Sequence, residues 1–182
     1  MRIVAGTKKG KKLLTPVDEK TRPTSDKARE ALFNIINSLL LKEEKNWQEI
    51  TFLDVFAGTG AVGLEALSRG AKEAWFIENH TPAIKCIKTN TADFENAHVL
   101  ICDATCPPFI TTPVRMIFMD APYREELWEQ ALTALNTKGW INNQTLIIIE
   151  IDKTEDGILP SGFKLIDDRT YGRNRLLFVR KE

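Results

Sequence analysis

The segment 51–63, TFLDVFAGTGAVG, restricts the fold more than any other part of the chain. It starts with an apolar stretch, Phe52, Leu53, Val55 and Phe56, interrupted by one acid, Asp54. Gly58-Thr59-Gly60 follows, and then a helical pattern over 61–67. The order is strand, glycine turn, helix. A glycine turn lets backbone approach a ligand where a side chain would collide. The helix behind it aims free N–H groups and its positive dipole end at the same point. The segment reads as a nucleotide-cofactor site.

The spacing leaves two cofactors open. Gly58-x-Gly60-x-x-Gly63 satisfies the dinucleotide fingerprint, and Glu78 lies 20 residues past Gly58, where an NAD site places its ribose acid. Two features favour S-adenosylmethionine (SAM). Asp54 stands four residues before Gly58. A carboxylate there opposes the dianionic pyrophosphate of NAD but suits the sulfonium and ammonium of SAM. The second feature is Asp120-Ala121-Pro122-Tyr123. An NAD oxidoreductase would also need a catalytic His, Tyr-x-x-x-Lys or Cys, and none stands in a fitting place.

From position 51 onward strands and helices alternate. Strands are expected near 51–57, 73–78, 97–102, 115–120 and 145–151, and helices near 61–69, 81–91 and 124–136. The link over 104–112, with Pro107 and Pro108, holds at best a short helix. Runs such as Leu146-Ile147-Ile148-Ile149 are apolar without alternation, as expected when both faces are covered. Two alternating stretches, 163–169 and 175–180, are joined by Tyr171-Gly172-Arg173-Asn174 with no room for a crossover helix, so they pair antiparallel. The fold class is α/β: a doubly wound, Rossmann-like sheet, mostly parallel, with an antiparallel C-terminal edge hairpin. Ahead of it stand a small N-terminal β-hairpin over 1–14, an irregular linker to 24, and a helix to about 41, capped by Thr24 or Ser25. Its apolar stripe is Ala28, Leu32, Ile35, Ile36 and Leu39, with Arg29 and Glu30 off that stripe. The expected organisation is a basic hairpin and linker over 1–24 and a domain over 25–182, forming one structural unit.

Net charge is zero, but it is unevenly distributed. Residues 1–29 hold nine Lys/Arg against three Asp/Glu, and 164–182 hold six against three, leaving the middle acidic. If the fold brings the two ends to one face, that face attracts a polyanion. Lys8, Lys9, Lys11 and Lys12 crowd the hairpin turn and are candidates to grip phosphates, with Arg22 and Arg173. No apolar run approaches the roughly 18 residues of a membrane span, and the basic start lacks the apolar core of a secretory signal. Cys86, Cys102 and Cys106, with His80 and His98, lack metal-ligand spacing and read as reduced, mostly buried thiols in a cytoplasmic protein.

Ligands of open α/β sheets bind at the carboxyl ends of the strands. Asp54, Gly58 and Gly60 follow the first strand. Glu78 ends the second and suits both ribose hydroxyls. Asp103 ends the third, where a carboxylate accepts from an adenine amine, with Ala104 beside it. Thr24 completes the expected cofactor set. At the end of the fourth strand, Asp120 and the carbonyls after it offer acceptors, Pro122 shapes the turn, and Tyr123 offers a flat face for a base. That set suits an exocyclic amine of a nucleobase, a poor nucleophile whose lone pair is delocalised into the ring. Two acceptors draw such a nitrogen toward tetrahedral geometry as it attacks a methyl group.

These residues resemble a known family. The opening Met1-Arg2-Ile3-Val4-Ala5-Gly6, then Arg22-Pro23-Thr24-Ser25-Asp26 running into Arg29-Glu30-Ala31-Leu32-Phe33-Asn34, then Leu53-Asp54-Val55-Phe56-Ala57-Gly58-Thr59-Gly60 carry the likeness. Leu64-Glu65-Ala66-Leu67-Ser68-Arg69-Gly70 and Tyr171-Gly172 extend it over nearly the whole chain. Together they resemble the bacterial small-subunit (16S) rRNA guanine-N2 methyltransferases. The resemblance implies a SAM cofactor, transfer to guanine N2, and ribosomal RNA in a small-subunit ribonucleoprotein particle as partner; such a transfer needs no metal, and a monomer is expected. That family usually has proline where this chain has Ala121; the backbone carbonyl is kept. The alternatives are an adenine-N6 DNA methyltransferase, which the short chain without a target-recognition domain disfavours, and a non-catalytic RNA-binding protein that retains the fold.

Overall fold

The computed structural model describes residues 1–16, 26–122 and 127–182. Their elements run α1 (Asp26–Lys42), β1 (Thr51–Val55), α2 (Ala61–Ser68), β2 (Glu73–Glu78), α3 (Thr81–Thr91), β3 (Ala97–Ile101), β4 (Met116–Asp120), α4 (Leu127–Thr137), β5 (Leu146–Asp152), β6 (Phe163–Tyr171) and β7 (Asn174–Lys181). The described residues form a seven-stranded sheet of order β3-β2-β1-β4-β5-β7-β6. Strands β1 to β5 pair parallel, while β7 pairs antiparallel with both β5 and β6. The expected α/β sheet with its antiparallel terminal hairpin is what forms, and β6 is the strand at the edge.

The apolar runs explain the two layers. Successive strand side chains point to opposite faces. Phe52, Phe76, Phe118, Ile148 and Phe178 face one core, which is covered by apolar residues of α1, α2 and α3. Leu53, Val55, Ile117, Met119, Ile147, Ile149, Leu177 and Val179 face the other, covered by Trp128, Ala131, Leu132 and Leu135 of α4. Burying each such side chain stabilises the fold by about 1.5–3 kcal/mol, so both faces demand cover.

The N-terminal hairpin is a minimal one, with an antiparallel bridge between Arg2 and Lys12. Ile3 and Leu13 insert into the α1–α3 core. A buried acid fastens it: the Glu65 carboxylate accepts from the Val4 and Ala5 amides at 2.7 and 2.9 Å and from Arg69 Nε at 2.9 Å. Gly6 packs so tightly on α2 that a Cβ would stand 1.8 Å from the Ser68 carbonyl oxygen. Two expectations need correction. Arg29 is fully buried rather than off the core face, because its guanidinium donates to the Arg2 carbonyl and to Asp26, at 3.0 Å in the latter case. The cysteines form no disulfide, as expected, but they are not mostly buried: Cys86 and Cys102 are half-buried and Cys106 is exposed in the proline-rich link after β3.

Candidate active site

The strand order reverses at β1, which lies between β2 and β4. A crevice forms at such a switch point, outside the carboxyl ends of the strands. Register and alternation place a row of polar residues there on the α1–α3 face. Glu78 shares parity with Phe76, Asp54 with Phe52, Asp120 with Phe118, Glu150 with Ile148, and Asn174 with Phe178, and all those apolar partners belong to that core. Asp54 is level with Phe76 and Phe118, so Glu78 and Asp120 each stand two residues further toward the carboxyl end. Asp120 is the register partner of Glu150. Four acids on four strands therefore ring the end of β1.

Phe56 makes the opening between them. Strict alternation would aim it at the α1–α3 face, between Glu78 and Asp120. Its φ of 61° is left-handed, rare for a bulky residue and a sign of stored strain. The turned backbone sends its ring to the α4 side, where it packs against the second core. The glycine loop then follows with φ of 56° at Gly58 and 76° at Gly60. A Cβ on Gly58 would meet nothing within 4 Å, so the loop faces open space.

On the β1–β2 side the acids accept from backbone donors. Glu78, 8% exposed, accepts from the Gly58 amide at 2.7 Å through Oε2 and from the Asn79 and His80 amides at 2.9 and 2.7 Å through Oε1. Asp54 accepts from the Gly63 amide in the first turn of α2 at 2.8 Å. Burial pushes the Asp54 carboxyl up to about 8; the Gly63 amide opposes that rise and the Glu78 charge adds to it. Asp54 thus fixes the helix that carries the loop as well as facing the crevice.

On the β4–β5 side the acids have fewer donors. Asp120, half-buried at the end of β4, is raised well above the usual carboxylate range by desolvation, then by Glu150 and Asp54. Glu150, 6% exposed, is also raised by burial, against the lowering effect of Asn174, whose amide donates to Glu150 Oε1. Ala121 is buried and Pro122 exposed. Tyr123, Thr24 and Arg22 lie outside the described residues.

The remaining expected residues are placed less centrally. Asp103 stands two residues past β3 and closes a turn on itself, Oδ1 accepting from the Thr105 amide and hydroxyl at 2.8 and 2.7 Å. Those bonds hold its carboxyl below the usual range. Ala104 is buried in the α4-side core and offers a ligand its backbone alone. The lysine turn and Arg173 lie at opposite ends of the strands. The lysine turn packs beside Ser68 and Asp93, at the far ends of α2 and α3 from the glycine loop. Lys8 and Lys11 pair with Asp93 and lie over the Phe94 ring at 5.7 and 5.1 Å, leaving Lys9 and Lys12 exposed. Arg173 is in the turn before Asn174, level with the carboxyl end of β5.

Sequence reasoning missed Glu150 and Asn174. The one available signal was a glutamate in an otherwise apolar run, Leu146-Ile147-Ile148-Ile149-Glu150-Ile151.

Likeness to known proteins identifies the family that carries this crevice. A family described as Conserved hypothetical protein 95 matches residues 1–180. The Ribosomal RNA small subunit methyltransferase D of Escherichia coli (strain K12) is 32% identical over 187 residues, covering 100% of this chain and 90% of that protein. The chain belongs to this methyltransferase family. The protein of the same name from Haemophilus influenzae is 31% identical over 179 residues, 94% of this chain and 89% of that protein. The solved structure of yhhF from Escherichia coli, 32% identical, covers 100% of this chain and 98% of that chain with a TM-score of 0.82. Family membership makes the crevice at β1 and β4 the candidate site of a transferase. Among the described residues, no cluster of His, Cys, Asp and Glu is arranged to hold a metal, and no helix is long and apolar enough to cross a membrane.

Proposed function

We propose that the chain transfers a methyl group from SAM to the exocyclic N2 amine of a guanine in small-subunit (16S) ribosomal RNA. The observation that carries this reading is the Asp120-Ala121-Pro122 turn, which ends the strand next to β1 and its glycine loop. The crevice residues fit SAM. The open side of Gly58, the displaced Phe56 and the adjoining Glu78 leave room for a ribose, and the acids beside the loop, Asp54 and Glu78, give a pyrophosphate no positive partner. Gly58, Gly60, Glu78 and Asp54 would hold the cofactor, Asp103 and the Ala104 backbone would meet its base, and Thr24 would close over it. When bound, SAM supplies a methyl group activated by a sulfonium.

Asp120 and the carbonyl of Ala121 accept from the amine, orienting its lone pair and stabilising the charge that grows on nitrogen. The base must leave its stack to reach them, as for other enzymes acting on bases. Tyr123 would then stack on it. Holding the two reacting atoms in line supplies much of the rate. Lys9, Lys12, Arg22 and Arg173 meet RNA backbone, with Lys8 and Lys11 joining when they leave Asp93. The hairpin and linker over 1–24 act as one unit with the domain over 25–182, as a cytoplasmic monomer on a small-subunit ribonucleoprotein particle. The test incubates purified protein with labelled SAM and particles from cells lacking the gene, then analyses rRNA nucleosides. N2-methylguanosine at one position is expected. Label in adenine alone, or no label with SAM bound, would contradict the reading.

A further inference from the structure

Glu150 is outside the residues assigned above to the cofactor, yet it is one of ten described polar or charged residues that are buried. It occupies the strand next to the reacting turn. In a parallel pair of strands, register partners lie about 4.8 Å apart along the hydrogen-bonding direction with side chains on the same face. Glu150 is the register partner of Asp120. Its own carboxylate is clamped from the other side by the Asn174 amide, reaching across from β7. Among the described residues, no lysine or arginine forms an ion pair with Asp120 or Glu150. Uncompensated buried acid beside a reacting acid costs stability, and such a cost persists where it serves the chemistry.

We propose that Glu150, clamped by Asn174, is a positioning residue that makes Asp120 the base for the amine proton. The proposal rests on Asp120 meeting the amine. The N2 lone pair forms the bond to the methyl carbon, the electron pair of the broken carbon–sulfur bond stays on sulfur, and the positive charge moves to nitrogen. One N2 proton must then leave. Asp120 takes it as a carboxylate and becomes neutral, while Glu150 stays ionised. A carboxylate beside a second negative group is a stronger base than one alone, and proton transfer gains from that added basicity. The groups at this end of the face agree in sign. Asp54 on β1 raises Asp120 further, and Glu78 on β2 adds no positive charge. Asp26 and Arg29 at the start of α1 pair with one another at 3.0 Å. The clamp sets the order of ionisation: Asn174 favours the charged form of Glu150, whereas burial and the neighbouring acids all favour the neutral form of Asp120.

The test uses full-length protein, labelled SAM and small-subunit particles from cells lacking the gene, in single turnovers across a range of pH. The wild-type rate should rise with pH along an acid limb that reports Asp120. Glu150→Gln keeps an oxygen for Asn174 but removes the charge. It should move the limb at least one pH unit lower and reduce the plateau about three- to tenfold, with SAM affinity within about twofold. Asn174→Ala should also move the limb downward, though less than Glu150→Gln, because Glu150 then stays neutral to higher pH and repels the Asp120 carboxylate less. Glu150→Asp should restore the limb toward its wild-type position. A reading without turnover is the carbon NMR titration of labelled aspartates in the ligand-free protein, with Asp120 assigned by Asp120→Asn. Its titration should fall in Glu150→Gln. An unmoved titration and an unmoved limb in folded Glu150→Gln would overturn the proposal. If Asp120→Asn itself transfers at the wild-type rate, the fault lies in the reading of Asp120; if that variant is inactive and Glu150→Gln is unchanged, only the role of Glu150 fails.

Discussion

The two sides of the crevice treat buried carboxylates differently. Glu78 receives three backbone amides and Asp54 one, all from the loop and helices they support. Of Asp120 and Glu150, at the same end of the same face, Glu150 accepts one side-chain amide, from Asn174. Backbone donors fix a carboxylate in place, so the β1–β2 side is a cradle whose shape is set before a ligand arrives. Few donors leave a carboxylate dependent on its neighbours for charge, so on the β4–β5 side Asp120 is raised by Glu150 as well as by burial. Binding needs the first kind of site, and proton transfer needs the second.

The largest expected effect breaks the reacting side. Asp120→Asn should lower single-turnover methyl transfer by roughly two to three orders of magnitude, about 3–4 kcal/mol of transition-state stabilisation, since the amide neither carries charge nor accepts the proton. A wild-type rate would make the turn merely structural. On the other side, Glu78→Ala should weaken SAM binding by about 1–3 kcal/mol, the scale of charge-assisted hydrogen bonds. Calorimetry finding unchanged affinity in a folded variant would take Glu78 out of the cradle.

A pH comparison sharpens the contrast. The Asp54 carboxyl titrates near 8 when folded, against 3.8 for the ordinary group. Below about pH 4 it is neutral in both folded and unfolded chains. Between about 4 and 8 the folded protein alone holds the proton, so stability falls as pH rises through that window. Asp120 and Glu150 shift in the same direction. Denaturant midpoints of ligand-free protein should fall from about pH 5 to about pH 8.5, and Asp54→Asn should flatten the fall. A midpoint that rises with pH would mean that these acids are not neutral in the folded state. The smallest effect is expected furthest away. Reversing Lys9 and Lys12 should reduce the salt dependence of RNA binding, by about 0.9 in the logarithmic slope for each phosphate no longer neutralised, and leave SAM affinity alone. An unchanged slope would make the turn a solvated loop.

What the sequence disclosed follows the range of the interactions. The strands and helices were legible because each apolar run is local, and the site strands end within a residue or two of their expected bounds. The glycine loop was legible because its residues are adjacent. The deeper features depend on approaches between distant residues that spacing does not show. Glu65 is buried by a hairpin 60 residues earlier in the chain, a contact that its place in a helix does not show. Glu150 and Asn174 meet across 24 residues. Phe56 follows an apolar pattern that predicts the wrong face, because its backbone leaves the strand conformation. The lysine turn was read correctly as a turn, but two of its four lysines are held by Asp93, 82 residues from Lys11.

The direct test of the two-sided site measures SAM affinity and saturated single-turnover rate together in Glu78→Ala and Asp120→Asn. A divided crevice predicts opposite losses. Glu78→Ala should lose affinity and keep most of its rate once SAM is saturating, while Asp120→Asn should keep affinity and lose rate. Equal losses of affinity and rate in both folded variants would contradict it, since the acids would then act as one undivided pocket.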